Sequence, residues 1–406
     1  MKIHILILTI ILLAICGNAC INEQEKEIKK QSFFTIDFPG ILKNRHEGLL
    51  SGIAQDVNYI KLQTNSNCFI GRIEDAKFTK DYIFIHHNGN KLLAQFDKKG
   101  NFIRNIGKLG RGPGEYSLIR EFSIDPENRL IYIQPNYTKV MMVFSFDGEY
   151  HETLTNINAE GFLCWAHDTL FIQFHEPILG NEKYVFIEKD SDGDTLQVVK
   201  NFYYWDKSKR SYYMTYYWGR NVFYRYDNKL HFKGWYNDTI YTIDSLNNII
   251  PAFFIDLKQY KLPDELRPER NSSHKVPKKY YWVGVRECSN YVFIQYASYS
   301  LKIADKEPGG YMYFDKRLKK GYTLNHNNEM KGFVNDMDGV PDFFPAFTND
   351  SLAFQFINAV DFIKYFNSED FSESNPKLIK KRAVLIKQMH DISENDNPIL
   401  MIVKLK

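Results

Sequence analysis

The chain has 406 residues, of which 44% are apolar and 25% charged, and these values exclude a disordered, collagen-like or coiled-coil chain. The 52 basic and 49 acidic residues give a net charge of +3, which offers no general reason to expect a nucleic-acid partner. Aromatic residues make up 16% of the sequence, a content that favours strands. The composition therefore indicates a folded, strand-rich chain and names no ligand.

The N-terminus has the pattern of a secretory signal. A basic start precedes an apolar run from Ile3 to Ile15, which is shorter than the ~20 residues of a membrane-spanning helix. We therefore predict a signal peptide over residues 1–19 and, because the next stretch is polar and charge-rich, a tether over residues 20–36. The junction resembles a bacterial lipoprotein signal, in which a small residue such as Ala19 precedes a lipidated cysteine, here Cys20.

Two alternatives to Cys20 stay open: lipidation of Cys16, and a plain signal peptide without a lipid. A multiply acylated Cys20 would anchor the chain firmly, so we expect the protein at the outer membrane or cell surface. The acidic residues that follow Cys20 fit a surface-export tag and a solvated linker equally well, which leaves a periplasm-facing position open. The remaining cysteines, Cys68, Cys164 and Cys288, lack disulfide or metal spacing and are predicted to be buried.

Strand patterns recur from about residue 57 to the end of the chain. The first unit contains the runs Tyr82–Ile85, Leu92–Phe96 and Phe102–Ile106, separated by turns that carry Gly or Asn. Similar units follow at residues 130–154, 170–199, 229–257 and 291–324, and the last combines 352–357 with 399–403. Six units at this spacing predict an all-β fold, a six-bladed β-propeller with four-stranded antiparallel blades, over residues 37–406.

The two ends of this region suggest how the ring closes. Val57–Leu62 stands alone near the beginning and Ile399–Leu405 ends the chain, so we predict that the N-terminal strand completes the last blade and removes an open edge. Helical periodicity is confined to Asn358–Phe366 and Pro376–Met389, which we interpret as an excursion inside that last blade.

The stretch Ile106–Tyr116 contains four glycines, of which Gly110, Gly112 and Gly114 surround Pro113, and it ends in Gly-Glu-Tyr. It resembles the hallmark of a bacterial six-bladed β-propeller lipoprotein family that is related in architecture to NHL-repeat propellers. Asn335–Pro345 and Asp396–Lys406 support the resemblance, which spans about Asp37 to Lys406. The resemblance implies the fold; the family has no settled activity, and its members are associated with surface glycan-uptake systems.

The glycine motif itself is a candidate ligand contact. Its backbone N–H groups beside Arg111 have the composition of an anion-binding nest, and Arg111, Glu115 and Tyr116 are predicted to contact ligand at the channel mouth. The alternative is an inter-blade turn in which Arg111 and Glu115 pair internally.

The densest aromatic stretches, Phe202–Trp205 and Tyr212–Trp218, form a second candidate. Aromatic faces stack on sugar rings or cations, so Trp205, Trp218 and Arg220 are predicted ligand contacts. Packing between blades is the alternative for the same residues.

Carboxylates cluster in two places. Asp190–Thr195 has alternating carboxylates but lacks the terminal Glu of a calcium loop, which favours a hairpin turn. Asp336, Asp338 and Asp342 fit either a capped turn or a contact to metal or sugar.

The sequence contains no local catalytic motif, and its histidines are scattered. The resulting hypothesis is a lipid-anchored, noncatalytic module that binds a glycan, peptide or surface protein, with the membrane as its second partner. The alternative is a hydrolase or lyase whose site assembles at the central channel. Enzymatic activity stays open, no cofactor is identified, and no nucleic-acid partner is expected.

Overall fold

Six antiparallel sheets follow one another along the chain as the blades of a ring. The computed structural model describes residues 33–89, 91–175, 182–201, 223–234, 237–244, 247–263, 266, 276–277, 279–299, 309–324 and 332–406. Thr35–Lys406 groups into a single unit. The predicted all-β, six-bladed propeller with four-stranded antiparallel blades is confirmed.

Each blade is a simple meander of neighbouring strands. From first to fourth strand, blade one is Ile73–Phe78, Tyr82–His87, Leu92–Asp97, Phe102–Asn105; blade two is Ile119–Asp125, Leu130–Pro135, Met141–Ser145, Tyr150–Leu154; blade three is Phe162–His167, Leu170–Phe174, Tyr184–Lys189, Thr195–Lys200. In the same order, blade four is Phe223–Tyr226, Lys229–Phe232, Thr239–Ile243, Ile249–Asp256; blade five is Tyr281–Glu287, Tyr291–Ser298, Gly310–Asp315, Lys320–Leu324; blade six is Phe347–Thr348, Leu352–Ile357, Ile399–Leu405, Ala54–Lys61.

The sixth blade closes the ring with strands from both ends of the chain. Ala54–Lys61 pairs antiparallel with Ile399–Leu405, and Val57 lies opposite Val403. Both valines are buried, so the pairing adds apolar packing to its hydrogen bonds. The prediction that the N-terminal strand completes the last blade is confirmed.

The residues before this closing strand hold the outer edges of two other blades. Phe34–Asp37 extends blade four, and Arg45–His46 runs parallel to the fourth strand of blade five. A short helix at Phe38–Lys43 connects these two strands, and a second at Leu50–Ile53 leads into the closing strand. The sequence patterns did not predict these elements, and the strand Phe34–Asp37 begins inside the predicted tether.

A helical insertion, residues 358–398, separates the second and third strands of blade six. Its helices are Ala359–Phe366, Glu369–Glu373 and Ile379–Met389, which confirms the predicted excursion. The insertion is fixed to the ring because five of its apolar side chains are buried in the core shared with blades five and six: Ala359, Phe362, Phe371, Leu385 and Met389. None of the described helices is long and apolar enough to cross a bilayer.

Every predicted repeat unit begins at what is the second strand of a blade. The first strands line the central channel, and those of blades one and five carry charged side chains there, Asp75, Lys77 and Arg286, in place of apolar alternation. The first strand of blade three, Phe162–His167, is largely apolar and was missed without such a reason. A strand with one buried and one exposed face shows alternating apolar and polar residues, and strands with charged channel-facing side chains do not show that alternation.

Most blades meet through apolar side chains, for example Phe84 and Phe144 between blades one and two. Blades four and five also share a buried ionic network. Glu287 of blade five accepts hydrogen bonds from the Tyr224 hydroxyl of blade four at 2.7 Å and from Lys316 Nζ at 2.6 Å. His231 lies 3.6 Å from Glu287, but burial lowers the pKa of His231 to about 3, so Lys316 supplies the compensating positive charge.

Replacing Lys316 by Met should therefore destabilise the ring by about 3–5 kcal/mol at pH 8, because it leaves a buried carboxylate without a cation. Burial already raises the pKa of Glu287, against the opposing effect of Lys316. A carboxyl with a raised folded-state pKa takes up its proton first in the folded state, so stability rises as pH falls through that pKa. The loss of unfolding free energy in Lys316→Met relative to wild type should therefore become smaller as the pH falls from 8 to 5.

Urea denaturation of Lys316→Met and wild type at both pH values measures this deficit. Lys320→Met removes an exposed lysine at the start of the next strand and should change stability by no more than about 0.5 kcal/mol. A deficit that is equal at pH 8 and pH 5 would contradict the assignment of the buried charge to Glu287.

Candidate functional site

The two faces of the ring differ in what they carry. Turns between first and second strands lie on one side, called here the turn face. The connections between second and third strands, and those between blades, lie on the other side, called the insertion face because it carries residues 358–398. Cavities occur on both faces and in the channel between them.

A cleft of about 570 Å³ opens on the insertion face between blade six, blade five and the helical insertion. It is defined by aromatic rings and carboxylates brought together from four segments of the chain. Its lining consists of Tyr311, Pro341, Asp342, Phe344, Gln355, Phe356, Ile357, Asn358, Asp361, Tyr365 and Asp370. We call it the insertion-face cleft.

The wall of this cleft is held by a short set of specific contacts. The ring of Phe344 stacks on Tyr311 with centroids 3.9 Å apart. Gln355 fixes the connection that carries Phe344, because its side-chain oxygen accepts the Phe344 N–H at 2.9 Å and its amide donates to the Asp342 carbonyl at 3.3 Å. These contacts fix the positions of the aromatic side chains in the absence of a ligand.

The charge of the insertion-face cleft is negative. Its described lining contains three carboxylates, Asp342, Asp361 and Asp370, and no lysine or arginine. Burial raises the pKa of Tyr365, and the carboxylates of Asp342 and Asp370 add to the effect. Asn358 donates to Asp361 at 3.0 Å, which orients that carboxylate at the start of the first helix of the insertion. Such a surface suits ligands rich in hydroxyl groups or positive charge.

A basin of about 580 Å³ on the turn face is also acidic. Two of its carboxylates already hold backbone N–H groups: Asp125 accepts those of Glu127 and Asn128 in its own turn, and Asp350 accepts that of Asp227 in the turn of blade four at 2.8 Å. These groups cap turns, so the basin is a weaker candidate than the insertion-face cleft.

The glycine motif is a self-contained loop. Glu115 Oε2 accepts the backbone N–H groups of Arg111 and Gly112, both at 2.9 Å, so the nest is filled by a carboxylate of the chain itself. Tyr116 is buried and its hydroxyl donates to the Ile106 carbonyl at 2.6 Å. A Cβ on Gly110 would clash with Glu115 Oε2, so the close approach of this carboxylate favours glycine there.

Of the predicted contacts in this loop, Arg111 is exposed, while Glu115 and Tyr116 hold the loop together. The structure does not place any of the three in the insertion-face cleft. The predicted contacts Trp205, Trp218 and Arg220, and the predicted lipidation site Cys20, lie outside the described residues. Their roles stay predictions.

The clustered aspartates separate into different roles. Asp190 accepts the N–H groups of Asp192 and Asp194, as a capped hairpin does. Asp336 pairs with Lys377 at 2.8 Å, and Asp338 is buried against Tyr59; only Asp342 of that group reaches the cleft. Within the described part of the chain, no three His, Cys, Asp or Glu side chains form a group suited to a metal ion. Cys68, Cys164 and Cys288 are free and buried.

The sequence did not predict the insertion-face cleft as a whole. Asp342 was singled out, and the helix that carries Tyr365 was predicted, but no pattern connected them to Tyr311 of blade five. Tyr365 and Asp370 belong to a helical excursion whose position on the ring only the three-dimensional packing of Phe362 and Phe371 reveals.

Comparison with known proteins identifies a family and a fold. The family described as a domain of unknown function, DUF4934, matches residues 33–404. No functionally curated protein matches the sequence significantly. A Bacteroides fragilis protein whose name designates it as exported is similar in structure, with a TM-score of 0.65 and 15% identity over 92% of this chain and 100% of that one.

A second structure, a DUF4221 member from Bacteroides vulgatus, gives a TM-score of 0.47 and 13% identity over 87% of this chain and 97% of that one. At these identities the similarities concern the fold alone, and the second is too distant to support an argument.

Proposed function

From the premise that the chain belongs to the DUF4934 family, we propose that it is a noncatalytic binding module that acts outside the cytoplasm. The predicted signal at residues 1–19 supports export, as does the name of the similar Bacteroides fragilis protein. Attachment to the outer membrane or cell surface through a lipid on Cys20 is part of the proposal. The relation to NHL-repeat propellers that the glycine motif implies is likewise an expectation.

The single observation that carries the binding function is the insertion-face cleft. Its aromatic wall offers faces on which the C–H groups of a sugar ring stack. Asp342, Asp361 and Asp370 offer acceptors for sugar hydroxyl groups, and bonds to ionised acceptors are the strong ones. The volume of about 570 Å³ lies within the range of small-molecule sites. A glycan fragment is therefore the ligand class that we propose, in line with a role beside glycan uptake.

The hydrolase or lyase alternative placed its site at the central channel. In the described lining of the channel, Lys77 pairs with Asp75 at 2.9 Å, and Arg225 and Arg286 donate to backbone carbonyl oxygens. Only Lys77 is paired with a carboxylate in this described lining, and none of these contacts points to a particular reaction.

The lipid anchor is tested by metabolic labelling with a fatty-acid probe in the native host. The label should be lost in Cys20→Ala and kept in Cys16→Ala, because only the lipidated cysteine remains as the mature N-terminus. Loss of label in Cys16→Ala alone would move the anchor to Cys16. A wild-type protein without label would contradict the anchor altogether.

The cleft is tested on a glycan array with the purified protein. Replacing Asp361 and Asp370 together by Asn keeps their volume and exposure but removes two negative charges. The affinity of this variant for the glycans that wild type binds should fall by roughly tenfold to a hundredfold, as expected for the loss of hydrogen bonds to charged acceptors. Tyr137→Ala, which removes an aromatic side chain 83% exposed in the corresponding connection of blade two, is the matched control and should bind as wild type.

A parallel Trp205→Ala, Trp218→Ala variant tests the aromatic stretch of the sequence. Unchanged binding in the Asp361, Asp370 variant together with loss in the tryptophan variant would place the contact surface on that stretch. If wild type retained no glycan at all, the proposed ligand class would be wrong.

A further inference from the structure

The central channel contains a second cavity, of about 120 Å³, that is separate from the insertion-face cleft. The first strands of all six blades contribute to its lining. At ~30 Å³ for each water molecule, this volume equals about four waters and suits a ligand of few heavy atoms. We call it the channel cavity.

Positive charge predominates in the channel cavity. Its described lining carries three cationic side chains, Lys77, Arg225 and Arg286, and one carboxylate, Asp75. Lys77 is compensated, since Asp75 lies 2.9 Å away and Glu121 is near. Although burial alone lowers the pKa of Lys77, these carboxylates raise it to about 12. Neither arginine forms an ion pair with a described carboxylate, although Asp75 acts on Arg286 and Asp125 acts on Arg225 from a greater distance.

The contacts of the two arginines are with neutral groups. In the described part of the chain, Arg225 Nη2 donates to the carbonyls of Trp165 at 3.0 Å and Ala166 at 2.6 Å, and the guanidinium lies 4.7 Å over the Trp165 ring. Arg286 donates to the carbonyls of Val285 at 2.9 Å and of Ala346. Each guanidinium retains N–H groups beyond those used in these bonds.

Burial is costly for cationic groups that have no ion-pair partner in close contact. Burial lowers the pKa of Arg286 to about 10, and it lowers the pKa of Arg225 as well. A planar guanidinium is the side chain that best matches the oxygens of a carboxylate, sulfate or phosphate, and such bonds are charge-assisted. Two of them on neighbouring blades, facing one small cavity, provide a complementary environment for an anion.

We propose that the channel cavity binds a small oxyanion between the guanidinium groups of Arg225 and Arg286. The anion enters from the turn face, because Arg225 and Asn349 line both the channel cavity and the turn-face basin. The site is distinct from the insertion-face cleft and does not depend on the proposed glycan ligand.

The arginines also connect neighbouring blades through their carbonyl contacts, so the test must separate binding from stability. Isothermal titration of the mature protein with sodium phosphate, sulfate and acetate, each at constant ionic strength, measures binding directly. Wild type should bind one anion per chain, and Arg225→Gln or Arg286→Gln should weaken that binding by roughly tenfold to a hundredfold. Circular dichroism checks that the variants fold.

The matched control is Arg111→Gln, because Arg111 is an exposed arginine in the loop whose sequence also suggested an anion nest. This variant should bind as wild type. Loss of binding in Arg111→Gln with retention in both channel variants would overturn the proposal, as would the absence of saturable binding for all three anions. Tighter binding of acetate than of the other anions would identify the ligand as the carboxylate of a larger molecule. Tighter binding of sulfate or phosphate would identify it as a free tetrahedral anion.

If the channel variants do not fold, wild type alone still provides a test. Crystals soaked in sodium selenate should show an anomalous peak between Arg225 and Arg286. Selenate peaks confined to the outer surface would contradict the site.

Discussion

Closure of the ring is the constraint on which the other features depend. Blades one to five are built from consecutive strands, but blade six requires Ala54–Lys61 from the beginning of the chain beside Ile399–Leu405 from its end. This pairing covers an edge that would otherwise be open to a foreign strand. It also fixes the helical insertion, because the insertion leaves and rejoins the same blade. The shape of the insertion-face cleft therefore depends on contacts far apart in the sequence.

Both candidate sites lie where blades meet. The insertion-face cleft uses Tyr311 of blade five and Gln355 of blade six, and the channel cavity uses side chains from all six first strands. The interfaces between blades are largely apolar, with the buried Glu287 network as an ionic contribution between blades four and five. A rigid ring of this kind holds ligand contacts in place, so binding requires little ordering of the protein.

The sequence predicted the parts of the fold that carry an apolar pattern. The second to fourth strands of the blades, the closing strand and the insertion helices were all recognisable, because one of their faces packs against a neighbour. The first strands were not, and in blades one and five this is because Asp75, Lys77 and Arg286 face the channel. For the same reason the sequence did not predict the channel cavity. The insertion-face cleft was missed because its residues share no local spacing, and the glycine motif proved to bind its own Glu115.

The closed ring is tested most directly by hydrogen exchange of the native protein, followed by mass spectrometry. If the closing strand is an integral part of the ring, peptides covering 54–61 should exchange as slowly as those covering 399–405 and the central strands of blades one to five, since all would open only by global unfolding. Rapid exchange of 54–61, while the other blades stay protected, would show that the N-terminal strand does not hold the ring together.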